Sequence, residues 1–218
     1  MSVIAFDVNE TLLDLRALDA PFAAAFGDAS LRPLWFSIML QVAFVGGLTG
    51  SYTDFTTAQR SALAILAKRQ KVTLSTEQSD AIVDGMRSLP PHPEVRAAME
   101  RLRAKFRLVA LTNSTKDVAE AQMTNSGLRD LLEAVYSADE VRALKPAAAP
   151  YRMVAERAGV PIGEVRLVAA HGWDIAGALA AGCRAAFVAR PGAVIYPHGA
   201  QPDVIGADLR AVAEALLR

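Results

Sequence analysis

Three groups of chemically capable residues stand at the ends of apolar runs, and a fourth lies between the last two. Asp7 tips the run "VIAF", Val3 to Phe6, and is followed by Asn9 and Thr11 in a short polar turn. "LTNS" carries Thr112, Asn113 and Ser114, "LKPAAAPY" carries Lys145 and Tyr151, and "AAHGWD" carries His171, Trp173 and Asp174. A carboxylate at the tip of a buried strand is a common way to present a nucleophile. A lysine beside it favours the ionised form, and a histidine at a strand end is where titratable chemistry concentrates. Each residue taken alone also has a plain reading: a turn acid caps a helix, a lysine is solvated, a tyrosine packs a helix, and a histidine is held by structural hydrogen bonds. Four such groups at the ends of successive elements outweigh any one of them.

The elements that must position these groups are legible as short, nearly continuous apolar runs, as expected of strands covered on both faces. They are Val3 to Phe6, Leu108 to Leu111, Val165 to Ala169 and Ala185 to Val188, with Ala134 to Ser137 as a weaker candidate. Helical patterns lie between the later runs: one from near Thr115 to Met123, one from Tyr151 to Ala158 stopping at Gly159, and one from Ile175 to Ala181 stopping at Gly182. Alternating strand and helix predicts an α/β, Rossmann-like doubly wound parallel sheet. In such sheets ligands bind outside the carboxyl ends of the strands, which is where the four groups fall. Leu15 to Leu89 breaks the rhythm and reads as helices only. One begins after Asp54, with Phe55, Ala58, Ala62, Ile65 and Leu66 on one face, and another after Ser75, with Ile82, Val83 and Met86. "PPHP", Pro90 to Pro93, punctuates the return. The expected organisation is a core of residues 1–14 plus 91–218 and a helical cap of residues 15–90 inserted after the first strand.

Composition narrows the function. The 218 residues are 52% hydrophobic and carry 23 basic and 23 acidic side chains, so nothing resembles the basic footprint of a nucleic-acid binder. One cysteine, Cys183, excludes an intrachain disulfide, and no basic leader precedes the first apolar run, so a cytoplasmic location is expected. Pro33 to Thr53 carries no charge and approaches the about 20 residues that span a bilayer. Gln41, Gly46, Gly47, Gly50 and several hydroxyls interrupt it. A helix buried on two sides is expected in preference to a membrane span.

The order acid, hydroxyl–amide, lysine, acid resembles the haloacid dehalogenase superfamily over essentially the whole chain, through "DVNET", "LTNS", "KP" and "GWD". The early helical insertion resembles the cap of its type II (S)-2-haloacid dehalogenases and haloacetate dehalogenases. "LW" at Leu34–Trp35, "DFTTA" at Asp54 to Ala58, Tyr151 six residues after Lys145, and "WDIAGA" from Trp173 support the closer match. The resemblance implies that Asp7 is the nucleophile. Phosphatase members use a second Asp, two residues on, as acid/base for the leaving alcohol, and that place holds Asn9, which cannot donate and recover a proton. Halide leaves carbon without a proton, so one carboxylate suffices to form an aspartyl ester. Water then releases a 2-hydroxy acid. The motif positions imply that Thr11 orients Asp7, Lys145 keeps it ionised, and Asp174 positions Lys145 or the hydrolytic water. They further imply that Thr112 and Asn113 bind the substrate carboxylate or halide, and that Tyr151 and Trp173 line the pocket. Trp35, Phe36 and Phe55 would form an apolar ceiling that dries the site. Magnesium favours oxygen ligands and usually a substrate phosphate, so no metal and no cofactor are expected.

Two positions depart from the family pattern. Phe36 stands where relatives carry an arginine, with Arg32 about one helical turn back, and Ala169, Ala170 and His171 replace a Ser-Ser-Asn sequence. His171 is expected to act as base, acid or donor. A histidine-plus-aromatic pocket suits a small halide such as fluoride, whose departure benefits most from donors. It also suits the ring nitrogen of azetidine-2-carboxylate, to which His171 would supply a proton. A magnesium-dependent phosphatase and a non-catalytic binding protein are the remaining alternatives, opposed by Asn9 and by the intact Asp7, Lys145 and Asp174 respectively. The uncharged stretch Leu34 to Leu48 is long for a pocket roof, so a homodimer through this helix is expected.

Overall fold

A computed structural model describes residues 1–218. Its centre is a sheet of six strands: β1 (Val3–Phe6), β2 (Arg107–Thr112), β3 (Ala134–Ser137), β4 (Val165–Ala169), β5 (Arg184–Val188) and β6 (Val204–Gly206). Their order is β3-β2-β1-β4-β5-β6 and every pairing is parallel. This is the Rossmann-like α/β architecture the apolar runs predict. The first five strands coincide with those runs to within a residue at each end. The sixth was not predicted, because a three-residue edge strand is too short to show a pattern.

Alternate side chains along each strand serve two cores. Ile4 and Phe6 of β1, Leu108 and Ala110 of β2 and Val168 of β4 face one core, and Val3, Ala5, Val109, Leu111 and Leu167 face the other. The chain enters a helical insertion directly after β1: α1 (Asp19–Phe26), α2 (Arg32–Thr49), α3 (Phe55–Gln70) and α4 (Thr76–Gly85). Then α5 (Val95–Leu102) leads into β2. The remaining helices are α6 (Lys116–Asn125), α7 (Ala148–Ala158), α8 (Gly172–Ala180) and α9 (Leu209–Leu217). The first core is closed by α5, α6 and α9, and the second by α7 and α8.

Local chemistry fixes the helix ends. The Asp54 carboxylate accepts from Thr57 N at 2.9 Å to start α3. Ser75 and Gln78 form a reciprocal capping box at α4. Gly159 closes α7 with a left-handed φ of 67°. The helix α2 presents Trp35, Phe36, Ile38, Met39 and Ala43 inward and packs on α3, while Leu48 remains 88% exposed. By length and composition alone, the segment Ala29–Thr49 would cross a membrane; here its apolar inner face is part of the cap interior. The two connections to the insertion run side by side: Asp14 N donates to Pro90 O at 2.8 Å and His92 N donates to Leu12 O at 2.9 Å.

Candidate active site

β1 lies between β2 and β4, where the strand order reverses, and a crevice opens at such a point. Asp7 leaves β1 there, its backbone N–H bonded to Val168 O at 3.0 Å. Thr11 closes the turn: its hydroxyl donates to Asp7 Oδ2 at 2.6 Å and accepts from Ala170 N at 2.9 Å. Lys145 reaches the other oxygen. Its fully buried ammonium donates to Asp7 Oδ1 at 2.8 Å, to Asp174 Oδ2 at 2.6 Å and to Leu111 O at 2.9 Å, so each of its three protons has a partner. Close packing holds this arrangement, since a Cβ on Gly177 would stand 2.8 Å from Pro146 O and from Tyr151 Oη.

The charges set the protonation. Burial pushes the Asp7 carboxyl up, but Lys145, then His171 and Thr11, more than offset it and leave Asp7 below its ordinary value of 3.8. Burial pushes Asp174 up, and Asp7 adds to this against the opposing pull of Lys145, so Asp174 lies above 3.8. Burial works against the Lys145 charge, but Asp174 and Asp7 together hold it above 10.5. The outcome is an ionised carboxylate at Asp7 beside a fixed cation.

Asn9 plays no part at the reacting oxygens. Its amide oxygen accepts from Gln122 Nε2 at 2.9 Å and its amide nitrogen lies 3.4 Å from Ser114 Oγ. Magnesium does not fit this donor set. All four oxygens of Asp7 and Asp174 are bonded to Lys145, Thr11 or Tyr151, the ammonium fills the space between the acids, and no three acid, His or Cys side chains are grouped so as to hold an ion.

His171 stands beside Asp7, with Nε2 at 3.7 Å from Asp7 Oδ2, 3.8 Å from Glu10 Oε2 and 3.1 Å from Asn9 O. A carbonyl can only accept, so Nε2 carries a proton. The imidazole is stacked between Phe36 at 5.6 Å and Trp173 at 5.2 Å, and Phe44 meets Trp173 edge-on. Beyond this stack lies an open cleft of about 760 Å³, lined by Phe36, His171, Trp173, Glu10, Arg32 and Arg190 among others. Asp7, only 4% exposed, sits behind the stack.

The structure places several of the expected substrate contacts away from the cleft. Trp35 is fully buried in the cap, its indole N–H donating to Gln59 O at 3.1 Å and its ring against Phe22, and Phe55 is likewise interior. Of the expected ceiling, Phe36 alone reaches the cleft. Thr112 is buried and its hydroxyl accepts from Ser114 N. The Asn113 amide is spent on the backbone of Lys145, accepting from Lys145 N at 2.8 Å and donating to Lys145 O at 3.2 Å, so it positions the lysine. The buried Tyr151 hydroxyl donates to Asp174 Oδ1 at 2.5 Å and does not line the cleft. Glu10 was not among the expected site residues, and Arg32 was noted only as lying one helical turn before Phe36. Arg32 is in the cleft wall, paired with Asp19 at 2.7 Å and 3.7 Å from Glu10. Glu10 lies inside the nucleophile turn, and its acid in that turn was the available signal.

Comparison with known proteins bears on the family and the fold. The sequence pattern of the haloacid dehalogenase-like hydrolases matches residues 1–182. Haloacetate dehalogenase H-2 of Moraxella sp. (strain B) is 29% identical over 208 residues, covering 93% of this chain and 92% of that one. An (S)-2-haloacid dehalogenase of Xanthobacter autotrophicus is 31% identical over 196 residues, covering 87% and 76%. The solved L-2-haloacid dehalogenase of Xanthobacter autotrophicus with chloropropionic acid covalently bound superposes with a TM-score of 0.92 at 25% identity, covering 100% of this chain and 98% of that one. The chain belongs to the haloacid dehalogenase-like hydrolases, within their type II 2-haloacid dehalogenase branch.

Proposed function

We propose that this protein hydrolyses the carbon–halogen bond of a short 2-haloalkanoate, haloacetates including fluoroacetate among them, to the 2-hydroxy acid through an ester on Asp7. The observation that carries the reading is the ionised carboxylate of Asp7, fixed by Thr11 and the buried Lys145, with an amide rather than an acid two residues on and that amide turned to Gln122. Asp7 attacks the halogen-bearing carbon, halide departs with its electron pair, and water then attacks the side-chain carbonyl carbon. The names of the relatives, which act on haloacetate and (S)-2-haloacids, support this substrate class. We place the enzyme in the cytoplasm as a homodimer, with the exposed Leu34, Val45 and Leu48 of α2 against a second copy.

A single turnover in ¹⁸O-water with a panel of haloacids tests the mechanism. Label belongs in Asp7 after the first turnover, and label appearing directly in the hydroxy acid sinks the ester. Activity with chelator present should equal that without it. A second reading rests on the His171 Nε2–H, 3.7 Å from Asp7 Oδ2, which offers a proton to a nitrogen leaving group. Opening of azetidine-2-carboxylate to a hydroxy-amino acid, outpacing every haloacid, would favour it.

A further inference from the structure

The nucleophile turn is held by its carbonyls, and from outside. Val8 O accepts from Leu12 N at 2.9 Å and Leu13 N at 3.0 Å, and Leu12 O accepts from His92 N at 2.9 Å. The three carbonyls between them each meet a side chain from a different element. His171 Nε2 stands 3.1 Å from Asn9 O, His92 Nε2 stands 3.2 Å from Glu10 O, and Arg190 Nη2 donates to Thr11 O at 2.8 Å. His171 precedes α8, His92 lies in the return from the cap, and Arg190 follows β5.

Three donors on successive carbonyls fix an unusual backbone. Glu10, in the middle, has a φ of 62°, a left-handed conformation that residues other than glycine keep only where their surroundings over-determine it. Thr11 comes next. Its hydroxyl is the group that holds Asp7 Oδ2 at 2.6 Å, and the same hydroxyl accepts from Ala170 N at 2.9 Å. Where the Thr11 backbone lies therefore decides where the carboxylate points.

Arg190 is the most firmly built of the three donors. Its Nη1 meets Glu94 Oε1 at 2.6 Å, and the two side chains are only 11% and 10% exposed, so salt screens the pair little. Glu94 stands at the start of α5, and its Oε1 also accepts from Leu209 N at 3.4 Å, at the start of α9. The guanidinium is a rigid planar fork. Glu94 fixes one arm, and the other arm is thereby fixed on the Thr11 carbonyl through a charge-assisted bond.

We infer that Arg190, set by Glu94, is a positioning residue for halide displacement: it holds the Thr11 carbonyl and, through Thr11, keeps the Asp7 carboxylate aimed at the carbon it attacks. The proposal rests on the ester reading above. The end of β5 thus serves the site as the ends of β1 and β4 do, but through the turn and without touching the reacting atoms.

The test is rapid-quench turnover of chloroacetate by wild type, Arg190→Ala and the double variant Arg190→Met/Glu94→Gln. The double variant leaves no unpaired carboxylate in the buried site, so it keeps the fold even if Arg190→Ala does not. A misplaced nucleophile costs up to about 10²-fold. Both variants should therefore release the first equivalent of halide about 10–100-fold more slowly at saturating chloroacetate, with the burst amplitude still one per folded protein. Guanidinium chloride at a non-denaturing concentration should speed Arg190→Ala by refilling the place between Glu94 and Thr11. It should not speed the double variant, and sodium chloride should speed neither. A wild-type burst rate in the folded fraction of both variants overturns the proposal. So does a loss confined to burst amplitude, which is a stability role alone. A wild-type rate at saturation with a raised half-saturating concentration makes Arg190 a substrate contact and overturns positioning. All three results leave the dehalogenase reading standing. A wild-type protein that releases no halide from any haloacid overturns that reading and the proposal with it.

Discussion

Replacing Lys145 by methionine removes the central charge of the site while nearly keeping its volume. The ammonium is fully buried and lies 2.8 Å from Asp7 Oδ1 and 2.6 Å from Asp174 Oδ2. Two acids bonded to one nitrogen stand about 5 Å apart, where like charges repel by about 3 kcal/mol at an effective dielectric of about 20. That repulsion equals about 2 pK units, so the variant's pair should hold one proton up to about pH 6. The consequences for stability have opposite signs in the two proteins. In wild type the lowered Asp7 contributes stability that is present above 3.8 and lost as pH falls through its folded value. Asp174 is shifted the other way, which flattens the wild-type curve. Lys145, raised above 10.5, contributes stability below that pH and loses it as pH rises through its folded value. In Lys145→Met the pair lies above its unfolded value, so stability is full in acid and lost as pH rises from about 4 to about 6. The variant should therefore be destabilised by about 3–5 kcal/mol at neutral pH, with most of the penalty gone near pH 4. Urea midpoints followed by circular dichroism across this range measure it. Parallel wild-type and variant curves would refute the shared-charge account.

Tyr151→Phe removes the hydroxyl that donates to Asp174 Oδ1 at 2.5 Å. Stability should fall by about 1.5–3 kcal/mol, as for a hydrogen bond to a charged group, and kcat should fall with KM unchanged. A changed KM at unchanged stability would return Tyr151 to the substrate pocket. Trp35→Ala should cost about 3–5 kcal/mol in thermal or urea unfolding and leave the KM of the folded fraction alone; a KM shift would make Trp35 part of the ceiling after all. Asn9→Asp should not create a phosphatase, because the side chain is turned to Gln122 and Ser114. Magnesium-dependent release of p-nitrophenol from its phosphate ester would contradict that.

The sheet was legible because its central strands are covered on both faces and read as unbroken apolar runs. Asp7, Thr11 and Asp174 were legible because strand ends converge wherever a parallel sheet exists, and Lys145 because it stands in the connection from β3 to α7 on that same side. The aromatic residues were not. Trp35 and Phe36 are neighbours on a helix that is apolar nearly all round, so no pattern says which one turns to the cleft and which to Phe22. Thr112 and Asn113 defeat sequence reading for another reason. A hydroxyl and an amide serve a substrate or a backbone equally well, and here the backbone of Ser114 and Lys145 claims them.

The two halves of the proposed reaction have opposing needs, and the fold separates them. Displacement of halide needs a bare carboxylate, because a hydrated anion is a weaker nucleophile and water would compete for the carbon. Hydrolysis of the ester needs water and a base. Asp7, Lys145 and Asp174 are enclosed in protein, whereas Glu10 and Arg32 face the open cleft. The Phe36–His171–Trp173 stack is the partition, and His171 is its one member with a hydrogen-bonding edge toward Asp7. A substrate displacing this stack would meet the nucleophile before any cleft water does. Phe36 belongs to the same partition: at 5.6 Å from the imidazole, its ring completes the dry side, and a charge at that place would draw water through it.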